Sequence, residues 1–170
     1  MVQWGVAAVP ERTLTEWVVL GLLAEGPAHG FELSRPLAPG GEIGRVWSAS
    51  RPLTYRALEQ LTAAGLVVAD HDEPGAGPRR TIHKITPAGR RALRRWLTTP
   101  VDRIRKVRAE LLVKLLLLER AGLDTAPLLA AQRAALEPGL TAAQQAPGGD
   151  AVTRWRREQA AAVDRFLAPG

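Results

Sequence analysis

The chain has 170 residues, 46% of them apolar and 24% charged, with a net charge of +6 and no cysteine. That length and composition suit one large domain or two small ones built on a real hydrophobic core. The missing cysteines exclude disulfides, thiolate nucleophiles and cysteine-based zinc sites, and the longest apolar run, Leu115 to Leu118, is far below the ~20 residues that span a bilayer. A reducing, cytoplasmic setting is expected, with no signal peptide and no membrane partner.

The opening residues 1–12 show no helical or strand pattern and are expected to be a disordered leading segment. Thr13-Leu14-Thr15-Glu16 then fits a capping box, in which a threonine hydroxyl and a glutamate serve each other's turn. The predicted helix from Leu14 to Ala24 is apolar over most of its surface, so it should be buried. Gly26-Pro27 ends it. A second short helix is predicted from His29 to about Leu37, with Phe31 and Leu33 as its apolar contacts. Pro39-Gly40-Gly41 breaks it.

A third helix starts at Ser50, a good N-cap residue whose hydroxyl can accept an orphan N–H, with Pro52 in the first turn and Gly65 as the stop. At 100° per residue, Leu53, Ala57, Leu61 and Ala64 share an inward face with Leu58 beside them. Arg51, Tyr55, Arg56 and Glu59 fall on the other side. Three short helices with glycine- and proline-marked turns read as a helix-turn-helix. Leu66 to Ala69 and Arg79 to Thr86 then flank the turn stretch DEPGAGP and read as a β-hairpin, with Ile82 and Ile85 as apolar contacts.

Thr86-Pro87 opens a fourth helix that Pro100 closes. A fifth is predicted from Arg103 to Ala121, apolar at Ile104, Val107, Leu111, Leu112, Leu115 and Leu118. Another opens at Thr125–Pro127, and Pro138-Gly139 should kink or end it. The last runs from Ala151 to Leu167. The expected fold is mostly α. An N-terminal winged helix-turn-helix with one β-hairpin wing spans 13–100, and a C-terminal helical dimerisation domain spans 101–170. The tail helices bury little core alone, and two-fold pairing would solve that. Val107, Leu111, Leu115, Leu118, Trp155, Val163 and Phe166 are the expected dimer contacts.

The charge is local. Residues 45–95 hold ten Lys/Arg against four acids, and the rest of the chain is balanced at 13 of each sign. An electropositive module of this kind suits a polyanion, and a helix with cations near its start suits the major groove of double-stranded DNA. The candidate contacts are Ser50, Arg51, Thr54, Tyr55 and Arg56 on the helix, and Arg79, Arg80 and Lys84 on the wing. Arg51 can read guanine O6 and N7 or hold a phosphate. Thr54 can touch a base edge or a thymine methyl, and Arg56 a phosphate. Asp70, Asp72 and Glu73 should point away from DNA. Arg90, Arg91, Arg94 and Arg95 form a stripe that faces either DNA backbone or acids of the C-terminal domain, at least two of them the latter. A dimer implies an inverted-repeat operator.

The three histidines, His29, His71 and His83, are scattered, with no metal-ligand spacing, nucleophile motif or phosphate loop. No enzyme, metal or cofactor is expected. The rival readings are a winged helix that docks a protein partner, an effector sensor without DNA binding, and a nonspecific architectural DNA binder.

The stretches LGLLAEGPAHGFEL (20–33), LTYRALEQLTAAGLV (53–67) and PRRTIHKITPAGRRALRRWL (78–97) resemble, in this order and spacing, the PadR-like family of winged helix-turn-helix transcriptional regulators. RAELLVKLLLLERAG (108–122) resembles the first helix of the longer dimerisation domain of one branch. Phe31 stands where the family favours tyrosine, and Arg56 where it often has proline or a small residue. The resemblance implies a homodimeric repressor in which Tyr55 matches the family's recognition-helix tyrosine and bonds a phosphate. It also implies release from DNA by a small effector. Some members hold flat aromatic compounds against tryptophans, which makes Trp17, Trp96 and Trp155 candidates for a small aromatic effector. Core or interface packing is the other reading of these rings.

Overall fold

The computed structural model describes residues 11–74 and 80–168. Helix α1 (Leu14–Glu25) starts at Thr13, whose Oγ1 accepts the N–H of Glu16 at 3.2 Å. The Glu16 carboxylate accepts the threonine hydroxyl in return, at 3.0 Å. Val18, Val19, Leu20, Leu22 and Leu23 are buried, and α1 is enclosed by the helices and strands described next.

Strand β1 (Ala28–His29) and the single-turn helix α2 (Gly30–Ser34) replace the longer second helix predicted to Leu37. From Arg35 the chain runs in tight turns instead. The N–H groups of Ile43 and Gly44 both donate to Pro36 O, at 3.1 and 2.9 Å, and that of Ala49 to Leu37 O at 2.9 Å. These bonds satisfy the backbone that a longer helix would have satisfied, and they bury Leu37 and Ile43.

Helix α3 (Arg51–Ala63) begins at Ser50 as expected, but the serine hydroxyl makes no cap bond. The buried face is Thr54, Ala57, Leu58 and Leu61. Leu53, expected inside, is 51% exposed, and Ala64 is exposed too. Thr54, expected to reach a base edge from the side of the helix, is fully buried and donates its hydroxyl to Ser50 O at 3.2 Å. The inward face is thus turned by roughly 50°, about half a residue step, and Thr54 tolerates burial because its hydroxyl is satisfied within the first turn.

Strands β2 (Val67–Glu73) and β3 (Arg80–Ile85) form the expected hairpin, with Ile82 and Ile85 buried. The sheet has a third strand that periodicity could not announce, since β1 is two residues long. The order is β1-β3-β2, all antiparallel, with a bulge between Ala69 and His71. Helix α4 (Pro87–Thr98) is locked to the hairpin base. The Thr86 hydroxyl donates to Gly65 O at 2.9 Å and accepts from Gly89 N at 3.0 Å. Gly89 itself lets α4 approach the sheet: a Cβ there would lie 2.3 Å from Leu66 O.

The predicted fifth helix is present but interrupted. It comprises α5 (Ile104–Lys106), a π-helical turn (Val107–Leu111) and α6 (Leu112–Arg120). Helix α7 (Ala126–Gln145) continues past Pro138, so the proline does not end it. The carbonyl that Pro138 cannot bond belongs to Ala134, and both residues are on the exposed face, where water can replace the partner. Helix α8 (Ala151–Leu167) is capped by Asp150, whose carboxylate accepts Thr153 N–H at 2.9 Å.

The tail is fused to the rest of the chain by one hydrophobic cluster that runs from Val18 to Leu167. Gly21 of α1 lies so close to Leu117 that a Cβ would be 2.8 Å from its methyls. Arg120 binds the Glu25 carboxylate through two bonds of 2.7 Å and also reaches Glu42. The buried Gln132 amide clamps both backbone groups of Val101, at 2.7 and 2.9 Å. Val107, Leu111, Leu115, Leu118 and Val163, expected between protomers, are therefore buried inside the single chain. Trp155, at 66%, and Phe166 remain exposed on α8.

Gly89→Ala is expected to destabilise the fold by about 1–3 kcal/mol, since a backbone carbonyl cannot yield to the added methyl. A lowered urea midpoint at unchanged slope is the check.

Candidate nucleic-acid interface

The length of α3 from Arg51 to Ala63, with Glu59 among its lining residues, the start of α2 and the outer part of β3 border an open groove of ≈ 980 Å³. Its floor depends on Gly30. The Tyr55 ring lies where a Cβ at that position would be, 2.6 Å from its nearest carbon, so the tyrosine packs flat on the α2 backbone while staying partly exposed. Arg51 projects from the first turn of α3, and its guanidinium carbon sits 4.7 Å from the centroid of the Phe31 ring. That is within cation–π range.

His29 organises α2 as a capping box. Its Nδ1 accepts Glu32 N–H at 3.3 Å, and its own N–H donates to the Glu32 carboxylate at 3.2 Å. The ring also stacks on Phe31, with centroids 6.2 Å apart, and its Nε2 lies 3.4 Å from an Arg80 nitrogen. One side of the groove thus carries Arg51 from the helix and the other Arg80 from the wing. Arg56 is exposed one position beyond Tyr55. Among the described residues, Arg51, Arg56 and Arg80 form no ion pair with a carboxylate. Their charge is available to a ligand.

The other candidates divide. Ser50 is exposed at the helix start, whereas Thr54 is buried and out of reach of any partner. Lys84 is paired with Asp70, and that contact together with His71 holds the Asp70 carboxyl below the usual carboxylate range. Asp72 reaches across the hairpin to its register partner and accepts the Thr81 hydroxyl at 2.8 Å. The wing acids are thus partly consumed by the wing's own residues. Burial pushes the His83 imidazole below its ordinary pKa, and among the described residues its buried Nδ1 has no hydrogen-bond partner. Arg79 lies outside the described residues.

Arg90, Arg91, Arg94 and Arg95 are all exposed, and none makes an ion pair among the described residues. The expected pairing with C-terminal acids is not there. Arg90 donates to Ala24 O at 3.3 Å. Arg91 and Arg95 instead border a second cavity of ≈ 930 Å³ between α1, α4 and the π-helical turn. Its wall contains Trp17 and Trp96, stacked with centroids 5.0 Å apart and planes within 7°. Arg12 lies over Trp17 at 5.8 Å and Lys114 over Trp96 at 4.8 Å. Trp155 is elsewhere, on the outer face of α8.

Lys114 is the residue that reading the sequence missed. It stood inside an apolar run as an apparent interruption, yet it is only 1% exposed. Its ammonium donates to Thr99 O at 2.7 Å and pairs with Glu110 at 3.0 Å. Burial draws its pKa down, against the opposing pull of Glu110. The signal available was the spacing Glu110–Lys114, one helical turn. The joint hold of Phe31 and His29 on Arg51 and Arg80 needs the folded chain.

The profile of the transcriptional regulator PadR-like family matches residues 19–95. Among solved structures, the chain is similar to Bacillus subtilis PadR in complex with operator DNA, at 19% identity over 91% of this chain and 96% of that one, with a TM-score of 0.50. It is also similar to the same protein in complex with p-coumaric acid, at 20% identity over 91% and 95% with a TM-score of 0.47. For a PadR-like transcriptional regulator from Bacillus cereus the values are 18%, 94%, 93% and 0.43. No curated protein matches the chain.

Lys114→Met should lower stability by about 1–3 kcal/mol, because Thr99 O and Glu110 lose their partner. In the parent chain the unfolded state holds the Lys114 proton to higher pH than the native state, so this group makes stability rise with pH in the window just below 10.5. Denaturant titrations across that window should show the slope reduced in the variant.

Proposed function

We propose, from the match of residues 19–95 to the profile of the transcriptional regulator PadR-like family, that this chain is a sequence-specific DNA-binding repressor, released from an inverted-repeat operator by a small effector. The observation that carries the reading is the pair of arginines without an ion pair among the described residues, Arg51 and Arg80, that line one groove on the electropositive third of the chain, with Arg56 exposed next to Tyr55 on the same helix. Residues 13–100 act as the DNA-binding domain. Helix α3 enters the major groove, Arg51 faces a guanine edge or a phosphate, and Ser50, Tyr55 and Arg56 hold the backbone. Arg79 and Arg80 carry the wing along phosphates or into the minor groove. Lys84 contributes less, since Asp70 already answers its charge.

Residues 101–170 pair two copies in this reading. Val152, Trp155 and Phe166 lie on α8 at spacings of three and eleven, which puts them on one exposed stripe. A two-fold pairing there covers the tryptophan and gives the two α3 helices the symmetry of an inverted repeat. The effector cavity is the one beside Trp17 and Trp96, whose rings offer a flat apolar surface next to Arg91 and Arg95. Such a regulator acts in the cytoplasm, on the chromosome.

Arg51→Ala is expected to cost about 1–3 kcal/mol of operator affinity and to relax choice at one base per half-site; an unchanged motif after selection from a random duplex library rules out base reading. Arg80→Ala should weaken all duplexes alike and flatten the log–log salt dependence by about 0.9 for each phosphate that is no longer neutralised. Titrating planar aromatic compounds should quench tryptophan fluorescence and weaken duplex binding, and Trp17→Leu should reduce both effects.

A further inference from the structure

Arg51 is an unusual cation on this surface because an exposed aromatic ring holds it. Phe31 is 41% exposed, yet it is not idle. One face of the ring is under the Arg51 guanidinium at 4.7 Å, and the ring also stacks on His29 at 19°. His29 is itself buried and fixed by the two bonds of the α2 capping box. The chain of contacts runs from a backbone cap, through two rings, to the charged end of a long side chain on the next helix.

From this geometry we propose that Phe31 is the positioning residue for Arg51, a specificity element on α2 that does not itself touch a base. This inference rests on the DNA-binding reading above. The physical reason is entropic as well as electrostatic. A free arginine at a helix start samples many rotamers, and each must be given up when the guanidinium meets a base edge with two parallel bonds. The ring's negative face restricts that search before DNA arrives. It does so without neutralising the charge, as a carboxylate would. An exposed cation–π contact of this kind corresponds to about two- to fivefold in an equilibrium constant.

Phe31 supplies no buried core contact, and among the described residues its ring meets, besides Arg51, only the edge of the α2 cap at His29, which the two capping bonds hold independently. Its neighbours Gly30 and Leu33 are buried, and Leu33 supplies the core contact of α2. Phe31→Leu therefore keeps an apolar side chain on the surface and removes only the ring.

The test uses the full chain and two probes: a duplex recovered by the wild-type protein from a random-sequence library, and the unselected duplex pool. Phe31→Leu should weaken the selected duplex about two- to fivefold, leave the pool unchanged, and broaden the base at the position that Arg51→Ala broadens. Phe31→Tyr, which restores the ring, should restore both. In an Arg51→Ala background, Phe31→Leu should have no further effect. Additive losses in the double variant, or equal loss on both probes, overturn the positioning role while leaving DNA binding intact. If the wild-type chain enriches no sequence at all, the sequence-specific reading itself fails, and the inference with it.

Discussion

Everything in this molecule is arranged around the burial of α1. A helix that is apolar on nearly all sides cannot lie on a surface; it must be enclosed. Helix α3, β3 and α4 enclose it from the N-terminal half, and α6 closes the remaining side, admitted by the bare backbone of Gly21. Each buried leucine or valine contributes on the order of 1.5–3 kcal/mol. Displacing any one of these neighbours would expose several such residues at once. That is why the tail is built into the same cluster as the helix-turn-helix rather than attached by a flexible linker.

Two surfaces follow from that enclosure. On the side away from α1, α3 is left with its arginines and tyrosine outward, facing β3 across the groove. On the side where α1 meets α4, Trp17 and Trp96 stack, and the cavity opens beside them. The two surfaces are connected by the same rigid helices. Lys114 ties the second surface to the connection between the halves, through Thr99 O, and Gln132 ties Val101 just beyond. A ligand that shifted Trp96 would meet resistance from both clamps.

Charge at the groove shows why counting residues overstates an interface. The excess of six in residues 45–95 is real. Its use is selective: Lys84 is occupied by Asp70, and Arg91 and Arg95 border the other cavity. Arg51, Arg56 and Arg80 on the helix and wing, and Arg90 and Arg94 on α4, are distinguished from Lys84 by making no ion pair among the described residues. The uniform patch inferred from composition is in fact three differently occupied neighbourhoods.

The order and kind of most elements were legible in the chain before any fold was known. Apolar spacing, glycine and proline punctuation and the threonine caps at Thr13 and Thr86 are local signals, and they act over a few residues wherever those residues sit. The outward cations of α3 were legible on the same grounds. Its rotation, with Thr54 in and Leu53 out, was not, because that depends on what approaches the helix. Packing also settled that β1 joins the sheet, that α7 continues through Pro138 and that the leucines of α6 are satisfied within one chain. It likewise gave Phe31, His29 and Lys114 their specific partners. Those outcomes rest on contacts between residues distant in sequence, and such contacts leave no periodic trace in the chain that makes them.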